Sequence, residues 1–162
     1  MAMFIAKLIE NPSRPRRSGN PLGAWNGHLA ATTHVFQKLL LRAAADASGF
    51  STRERLFCTA CEFWAAVETC ELGAHLAGDP LNGSINAGFA LHTIGAADAA
   101  NRIAVAARHW LSSPEPRSCA RYAADLQITL LQTTDPVDQL IAKVATALAR
   151  QDGHEARVTP FA

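Results

Sequence analysis

The sequence predicts an all-α protein, a compact bundle of about five helices preceded by an irregular basic N-terminal arm. Apolar residues recur at helical spacing over nearly all of the chain after residue 26. Alanine supplies much of the 49% hydrophobic fraction, which favours closely packed helices over a layered sheet. The chain has no β-hairpin signal and no internal repeat. Its 162 residues are enough for one domain with an ordinary core.

The expected domain organisation is one helical bundle between two short segments. We assign residues 1–25 to the arm, 26–153 to the bundle and 154–162 to a C-terminal tail. Three prolines within the arm exclude a continuous helix or a ladder-paired strand there. Residues 1–20 carry four basic side chains and one acidic side chain, a local charge of +3, while the whole chain has a formal net charge of +1. A solvated arm on a nearly neutral body makes nucleic acid an unexpected partner.

The sequence also predicts a cytoplasmic protein without a membrane span. No stretch of about 18 uninterrupted apolar residues occurs. The N-terminal residues lack the cleavage site of a signal peptide. The four cysteines occur in a chain too large to need disulfides, and three of them lie on one predicted helix. Reduced thiols in the cytosol fit this distribution.

The first two helices are predicted over residues 26–47 and 52–77. Gly49 stops the first helix, and Ser51 and Glu54 have the spacing of a capping box that begins the second. Apolar residues surround most of the second helix, so we expect it to be the central one. The apolar side of the first helix contains Leu29, Thr32, Val35, Phe36, Leu39, Leu40 and Ala43.

Three further helices complete the predicted bundle. The third runs from a cap at residues 82–84 to about Leu111, the fourth covers about 117–132, and the fifth begins at Asp135-Pro136. Glycines and alanines on the third helix would let another helix approach closely, from this chain or from a dimer partner. The expected buried residues are Ile85, Phe89, His92, Ala96, Ala99, Ile103 and Trp110 on the third helix, Cys119, Ala123, Leu126 and Leu130 on the fourth, and Val137, Leu140, Ile141, Val144 and Leu148 on the fifth.

Acidic and imidazole side chains form the main candidate site. Glu68, Glu71 and His75 lie on one stripe of the second helix, and His92 faces inward from the third. Helix-borne carboxylates and imidazoles that converge in a bundle can bind iron, manganese or zinc. This set predicts a metal site, although the paired Glu-x-x-His motifs of di-iron bundles are absent. We favour the other interpretation of this set, a solvated or interface face, because charged side chains are rarely buried without partners.

The Cys58-x-x-Cys61 pair is a second candidate, since this spacing also occurs in redox and zinc sites. Redox chemistry of the thioredoxin kind needs the pair at the start of a helix, where the dipole lowers the thiol pKa. Here the pair lies more than one turn inside the second helix. We therefore expect both cysteines to be small buried core residues.

Ala90-Leu91-His92-Thr93-Ile94-Gly95 resembles the phosphate-accepting segment of histidine phosphotransfer domains, which are also helical bundles. The resemblance implies that His92 would accept a phosphoryl group. It covers six residues and lacks the lysine that the family's pattern has before the glycine, so the glycine falls one position early. A phosphoryl acceptor must be exposed, whereas the helical periodicity places His92 on the buried side. We therefore do not adopt this function.

The sequence favours a binding protein over an enzyme. It has no Gly-x-Ser-x-Gly elbow and no phosphate-binding glycine loop, and it predicts no cofactor. We expect a regulatory, adaptor or self-associating bundle whose partner is another protein or a second copy, with a homodimer favoured. The alternative is a bundle that binds a metal or small ligand at the Glu/His set, with oxidoreductase activity.

Overall fold

The computed structural model describes residues 32–42, 50–112 and 118–155. These residues form seven helices and no strand, which confirms the predicted all-α class. The predicted arm and residues 156–162 lie outside the described part. The helices are α1 (32–42), α2 (Thr52–Glu68), α3 (Leu72–His75), α4 (Pro80–Thr93), α5 (Ala97–Ser112), α6 (Cys119–Leu130) and α7 (Val137–Glu155).

A capping box begins α2, as the sequence predicts. The Ser51 hydroxyl accepts from the Glu54 N–H at 3.2 Å, and the Glu54 carboxylate accepts from the Ser51 N–H at 2.8 Å. Glu54 also forms an ion pair with Arg42 of α1. Burial acts to raise the pKa of Glu54, but the hydrogen bonds from Ser51 and Arg42 outweigh it and lower this pKa. The Glu54 carboxylate therefore caps the N-terminus of α2 and links this helix to α1.

The predicted helix over 52–77 is wrong beyond Glu68, where α2 ends. Cys70 adopts a left-handed conformation, with φ 60°. The Glu71 N–H then donates to the Ala66 carbonyl at 2.9 Å, which is the 6→1 hydrogen bond that closes many helices. The chain leaves the helix axis at this point and continues into the short helix α3.

A side chain of α6 contributes to this break. In a continuous helix the N–H of residue 71 would donate to the carbonyl of Val67. That carbonyl instead accepts from the Gln127 side chain at 2.8 Å and from the Cys70 N–H at 3.4 Å. The break also directs Leu72 and Leu76 into the core, where both are fully buried. Tertiary contacts therefore outweigh the apolar pattern that predicts one long helix.

The third predicted helix is in fact a helical hairpin made of α4 and α5. Gly95 has φ 94°, and the Ala96 N–H donates to the Leu91 carbonyl at 2.9 Å, so α4 is closed by a glycine turn. Asp79 caps α4 by accepting from the Asn82 N–H, in place of the predicted cap at 82–84. The two glycine- and alanine-rich helices fold back along each other.

The loop between α6 and α7 is bound to the start of α5 by two reciprocal contacts. One oxygen of the Asp98 carboxylate accepts from the Thr133 hydroxyl and from the Thr134 N–H, both at 2.9 Å. Asp135 in turn accepts from the Ala99 N–H at 2.9 Å. These hydrogen bonds hold α5, α6 and α7 in a fixed arrangement.

The core lies around α2, which packs against α3, α4 and α7. This confirms that the second predicted helix is central. The remaining main contacts join α5 with α6 and α3 with α6. Among the described helices, none is long and apolar enough to span a membrane. The largest fully buried apolar side chains are Phe57, Phe63, Val67, Leu72, Leu76, Leu91, Ile103, Leu126, Leu130 and Val137.

Candidate functional site

The four residues of the predicted metal site occupy three different helical segments. Glu68 is the last residue of α2, Glu71 precedes α3, His75 ends α3, and His92 lies in the last turn of α4. The stripe predicted for the first three is therefore interrupted by the break at Cys70. Glu68 and Glu71 are half-buried, and His75 and His92 are exposed.

The structure gives the metal prediction no geometric support. Within the described ranges no three His, Cys, Asp or Glu side chains are grouped closely enough to hold a metal ion. The His75 ring instead packs edge-on against Phe63, with 5.9 Å between ring centroids. Although the residue as a whole is exposed, partial desolvation of its ring lowers the pKa of His75, which favours the neutral imidazole.

The cysteine pair of α2 lies where the sequence places it, in an apolar environment. Cys58 is buried and Cys61 is half-buried. Burial, with a smaller effect of Glu62, raises the pKa of Cys58 to about 12. A thiol with so high a pKa is a poor nucleophile. Cys119 was expected to be buried but is exposed at the first turn of α6.

An open groove of about 480 Å³ runs between α4 and α5, and we call it the α4/α5 groove. Ile85 and Phe89 project from α4 along it and are 51% and 61% exposed. The small side chains of Ala97, Ala100 and Ala104 form its other wall on α5. The groove therefore combines two large apolar projections with a wall of small residues.

The floor of this groove depends on close contact between its two helices. A Cβ added to Gly88 of α4 would lie 3.3 Å from the Cγ2 atom of Ile103 on α5. Glycine at this position therefore brings the two backbones together. Of the described residues that line the groove, none is Asp, Glu, Lys or Arg, and His92 and Asn101 are its polar members.

The predicted buried side of the third helix is thus wrong for its first half. Ile85, Phe89 and His92 face solvent, while Ser84 and Ala87 of α4 face the core. Helix α4 has apolar residues on two sides, and the side with small residues is the one that packs inward. Small residues at i and i+3 opposite large ones are the sequence signal that could have revealed the exposed face.

The exposure of His92 meets one requirement of a phosphoryl acceptor. Two other observations oppose that role. His92 stands in the last turn of α4, where the negative end of the helix dipole disfavours a phosphate. The described lining of the α4/α5 groove also contains no lysine or arginine to neutralise it.

A second depression, of about 390 Å³, lies between α5 and α6, and we call it the α5/α6 cleft. Trp110 and Tyr122 contact each other in it, with ring centroids 5.0 Å apart and planes tilted by 58°. Arg102, His109 and Asp125 supply its charged and imidazole groups. Sequence reasoning did not identify this cleft, because its residues come from two helices whose pairing is not visible in the sequence.

Comparison with protein families, with characterised proteins and with solved structures finds no match for this chain. The two depressions and the residues that line them are therefore the observations on which a functional conclusion can be based.

Proposed function

We propose that the protein acts by binding, and that it associates with a second copy of itself through the α4/α5 groove. The observation that carries this proposal is the exposure of Ile85 and Phe89 beside a wall of alanines. Contiguous exposed apolar surface commonly marks an interaction site, and Phe is enriched in interfaces. Covering these two side chains would remove from water the largest aromatic and aliphatic groups of α4.

The shape of the groove suits a symmetric contact. In a two-fold dimer the same surface meets itself, so it must contain both projections and the spaces that receive them. Phe89 and Ile85 are such projections, and the alanine wall of α5 provides the space. The α4–α5 hairpins of two copies would form a layer of four helices.

The charge of the groove supports the same partner. A charged residue near a two-fold axis meets its own copy and is repelled by it. Among the described residues that line the α4/α5 groove, His92 is the one titratable side chain, and none is Asp, Glu, Lys or Arg. Self-association therefore brings no carboxylate, ammonium or guanidinium groups together there, and a partner selected by such charges would find none to pair with.

The small size of the surface formed by α4 and α5 predicts a weak dimer. Helices α4 and α5 have 14 and 16 residues, which corresponds to lengths of roughly 21 and 24 Å. Two such helices side by side present a face about 20 Å wide. The area of a face with these dimensions is at the small end of the range for protein interfaces. We therefore expect a dissociation constant in the micromolar range.

Sedimentation velocity over a range of concentrations tests this proposal. The 17.3 kDa chain should shift reversibly to twice its mass at high concentration. Phe89→Glu should remain monomeric, because it would bring two carboxylates into an apolar interface. Ile128→Glu is the matched control, because Ile128 on α6 is 60% exposed and lies outside both depressions. It should still dimerise.

Two results would contradict the proposal. One is a monomer at every concentration up to the millimolar range. The other is dissociation by Ile128→Glu but not by Phe89→Glu, which would place the contact on α6. Thermal unfolding of both variants shows that each one folds before its mass is interpreted.

A further inference from the structure

The α5/α6 cleft has the size and chemistry of a ligand site. Its volume of about 390 Å³ is within the usual range for small-molecule pockets. We propose that it binds a small organic cation, an alkylammonium whose positive charge lies between Trp110 and Asp125. This inference is independent of the proposed dimer, because the groups that carry it are not part of the α4/α5 groove.

The aromatic wall of the cleft is held in place by the core. The Tyr122 hydroxyl donates to the Ser84 hydroxyl at 2.9 Å, and Ser84 donates to the Pro80 carbonyl at 2.6 Å. Tyr122 is buried, and its ring supports one side of half-buried Trp110. Because Tyr122 is fixed in this way and supports Trp110, the half-buried Trp110 ring forms a preorganised surface for a cation, since the face of an aromatic ring attracts positive charge.

The basic group of the cleft is already neutralised. Arg102 donates through Nε to Asp98 at 2.9 Å and through Nη1 to the Thr129 carbonyl at 3.3 Å. Both contacts bind the guanidinium to the protein and compensate its charge. Arg102 is therefore poorly suited to hold an anionic ligand.

The acidic group, in contrast, is available. Asp125 is exposed, and no donor from the described residues bonds its carboxylate. With Arg102 compensated by Asp98, Asp125 is the uncompensated member of the two Asp and Arg side chains that line the cleft beside the His109 imidazole, so the cleft favours a cation over an anion.

Helix geometry places this carboxylate close to the aromatic wall. Asp125 follows Tyr122 by three positions on α6, and residues at this spacing have Cβ atoms about 5–6 Å apart on one face. Tyr122 contacts Trp110 across the cleft. The Trp110 ring and the Asp125 carboxylate therefore line the same cleft, and the proposed ammonium group lies between them.

Three probes of nearly equal shape test the proposal. Choline is the cation, 3,3-dimethylbutan-1-ol is its uncharged counterpart, and 3,3-dimethylbutanoate carries a negative charge. Their binding is followed by the indole N–H signals of the full-length protein in two-dimensional NMR, with the Trp110 signal assigned from Trp110→Phe. Choline should shift this signal saturably at millimolar concentration, as expected for a ligand of so few atoms. The other two Trp signals should not move.

The comparison between probes and variants decides the outcome. The uncharged alcohol should bind at least about tenfold more weakly than choline. Asp125→Asn should weaken choline binding by about fivefold or more, and Asp125→Glu, which keeps the charge, should retain it. The proposal is overturned if choline leaves the Trp110 signal unchanged, if the alcohol binds equally well, or if the butanoate binds more tightly.

Discussion

Helix α2 and the α4–α5 hairpin are both rich in apolar residues, but they bury them differently. In α2, nine of seventeen residues are buried, and they include both of its phenylalanines. In α4, four of fourteen are buried, and three of these are Ser84, Ala87 and Ala90. The fourth is Leu91, while Ile85 and Phe89 face outward, whereas both phenylalanines of α2 face the core.

This difference shows what an apolar periodicity does and does not establish. The pattern indicates that a helix face prefers to be covered. It does not indicate whether the cover comes from the same chain or from another molecule. In α2 the neighbouring helices provide the cover, and for the face with Ile85 and Phe89 no described helix does so.

The largest expected effect tests this comparison directly. Phe63→Ala in α2 should lower the free energy of unfolding by about 3–5 kcal/mol, because the side chain is fully buried and its removal leaves a cavity. Phe89→Ala in α4 should change it by no more than about 0.5 kcal/mol in the monomer. Urea denaturation at low protein concentration measures both. Equal losses for the two variants would show that Phe89 is part of the monomer core.

Substitutions at the helix ends should give the next largest change in stability. The change should be a loss at the end of α4 and a gain at the end of α2. Gly95→Ala should destabilise the hairpin by about 1–2 kcal/mol, because φ 94° is costly for a residue with a Cβ. Cys70→Gly at the end of α2 should stabilise the protein by up to about 1 kcal/mol, because glycine relieves the φ of 60°. Thermal unfolding of both variants checks the prediction. A stabilising Gly95→Ala would contradict the assigned turn.

The two regions should lose stability at opposite ends of the pH scale. Hydrogen bonds from Thr134, Arg102 and Thr133 lower the pKa of Asp98 to about 2. A depressed pKa gives stability that is complete above the unfolded value of 3.8 and is lost as pH falls toward 2. Asp98→Asn should therefore reduce the acid dependence of stability.

At alkaline pH, the change in stability should come from Cys58 of α2. Burial raises the pKa of Cys58 from 9.0 to about 12, so its contribution is complete below pH 9 and is lost as pH rises toward 12. Cys58→Ala should reduce the alkaline dependence and leave the acid side unchanged. Urea denaturation between pH 2 and 11 measures both. An unchanged acid slope in Asp98→Asn would exclude the proposed role of its hydrogen bonds.

Much of the fold could be predicted from the sequence where local signals are strong. The capping box at Ser51 and Glu54 begins α2 as expected, and Val137, Ile141 and Leu148 of α7 are buried as expected. These features depend on residues that are near one another in the chain. Local spacing is therefore sufficient to predict them.

The breaks in the two longest predicted helices could not be predicted in this way. At the break after α2 the Val67 carbonyl accepts from Gln127, which lies 60 residues away in the chain. Gly95 is a recognisable stop signal in hindsight, but an isolated glycine within an apolar pattern can also remain in a helix. Both depressions follow from how helices pair, so their residues could not be grouped from sequence spacing alone.

Asp98 of α5 bonds the loop before α7, and Asp135 of that loop bonds α5. These two contacts have a consequence for engineering. Surface loops usually tolerate added residues well. In this loop, Thr134 and Asp135 each bond a partner 36 residues away, and an insertion between positions 131 and 136 would move both out of register at once. A tag, an inserted domain or new chain termini should therefore be placed elsewhere on the molecule.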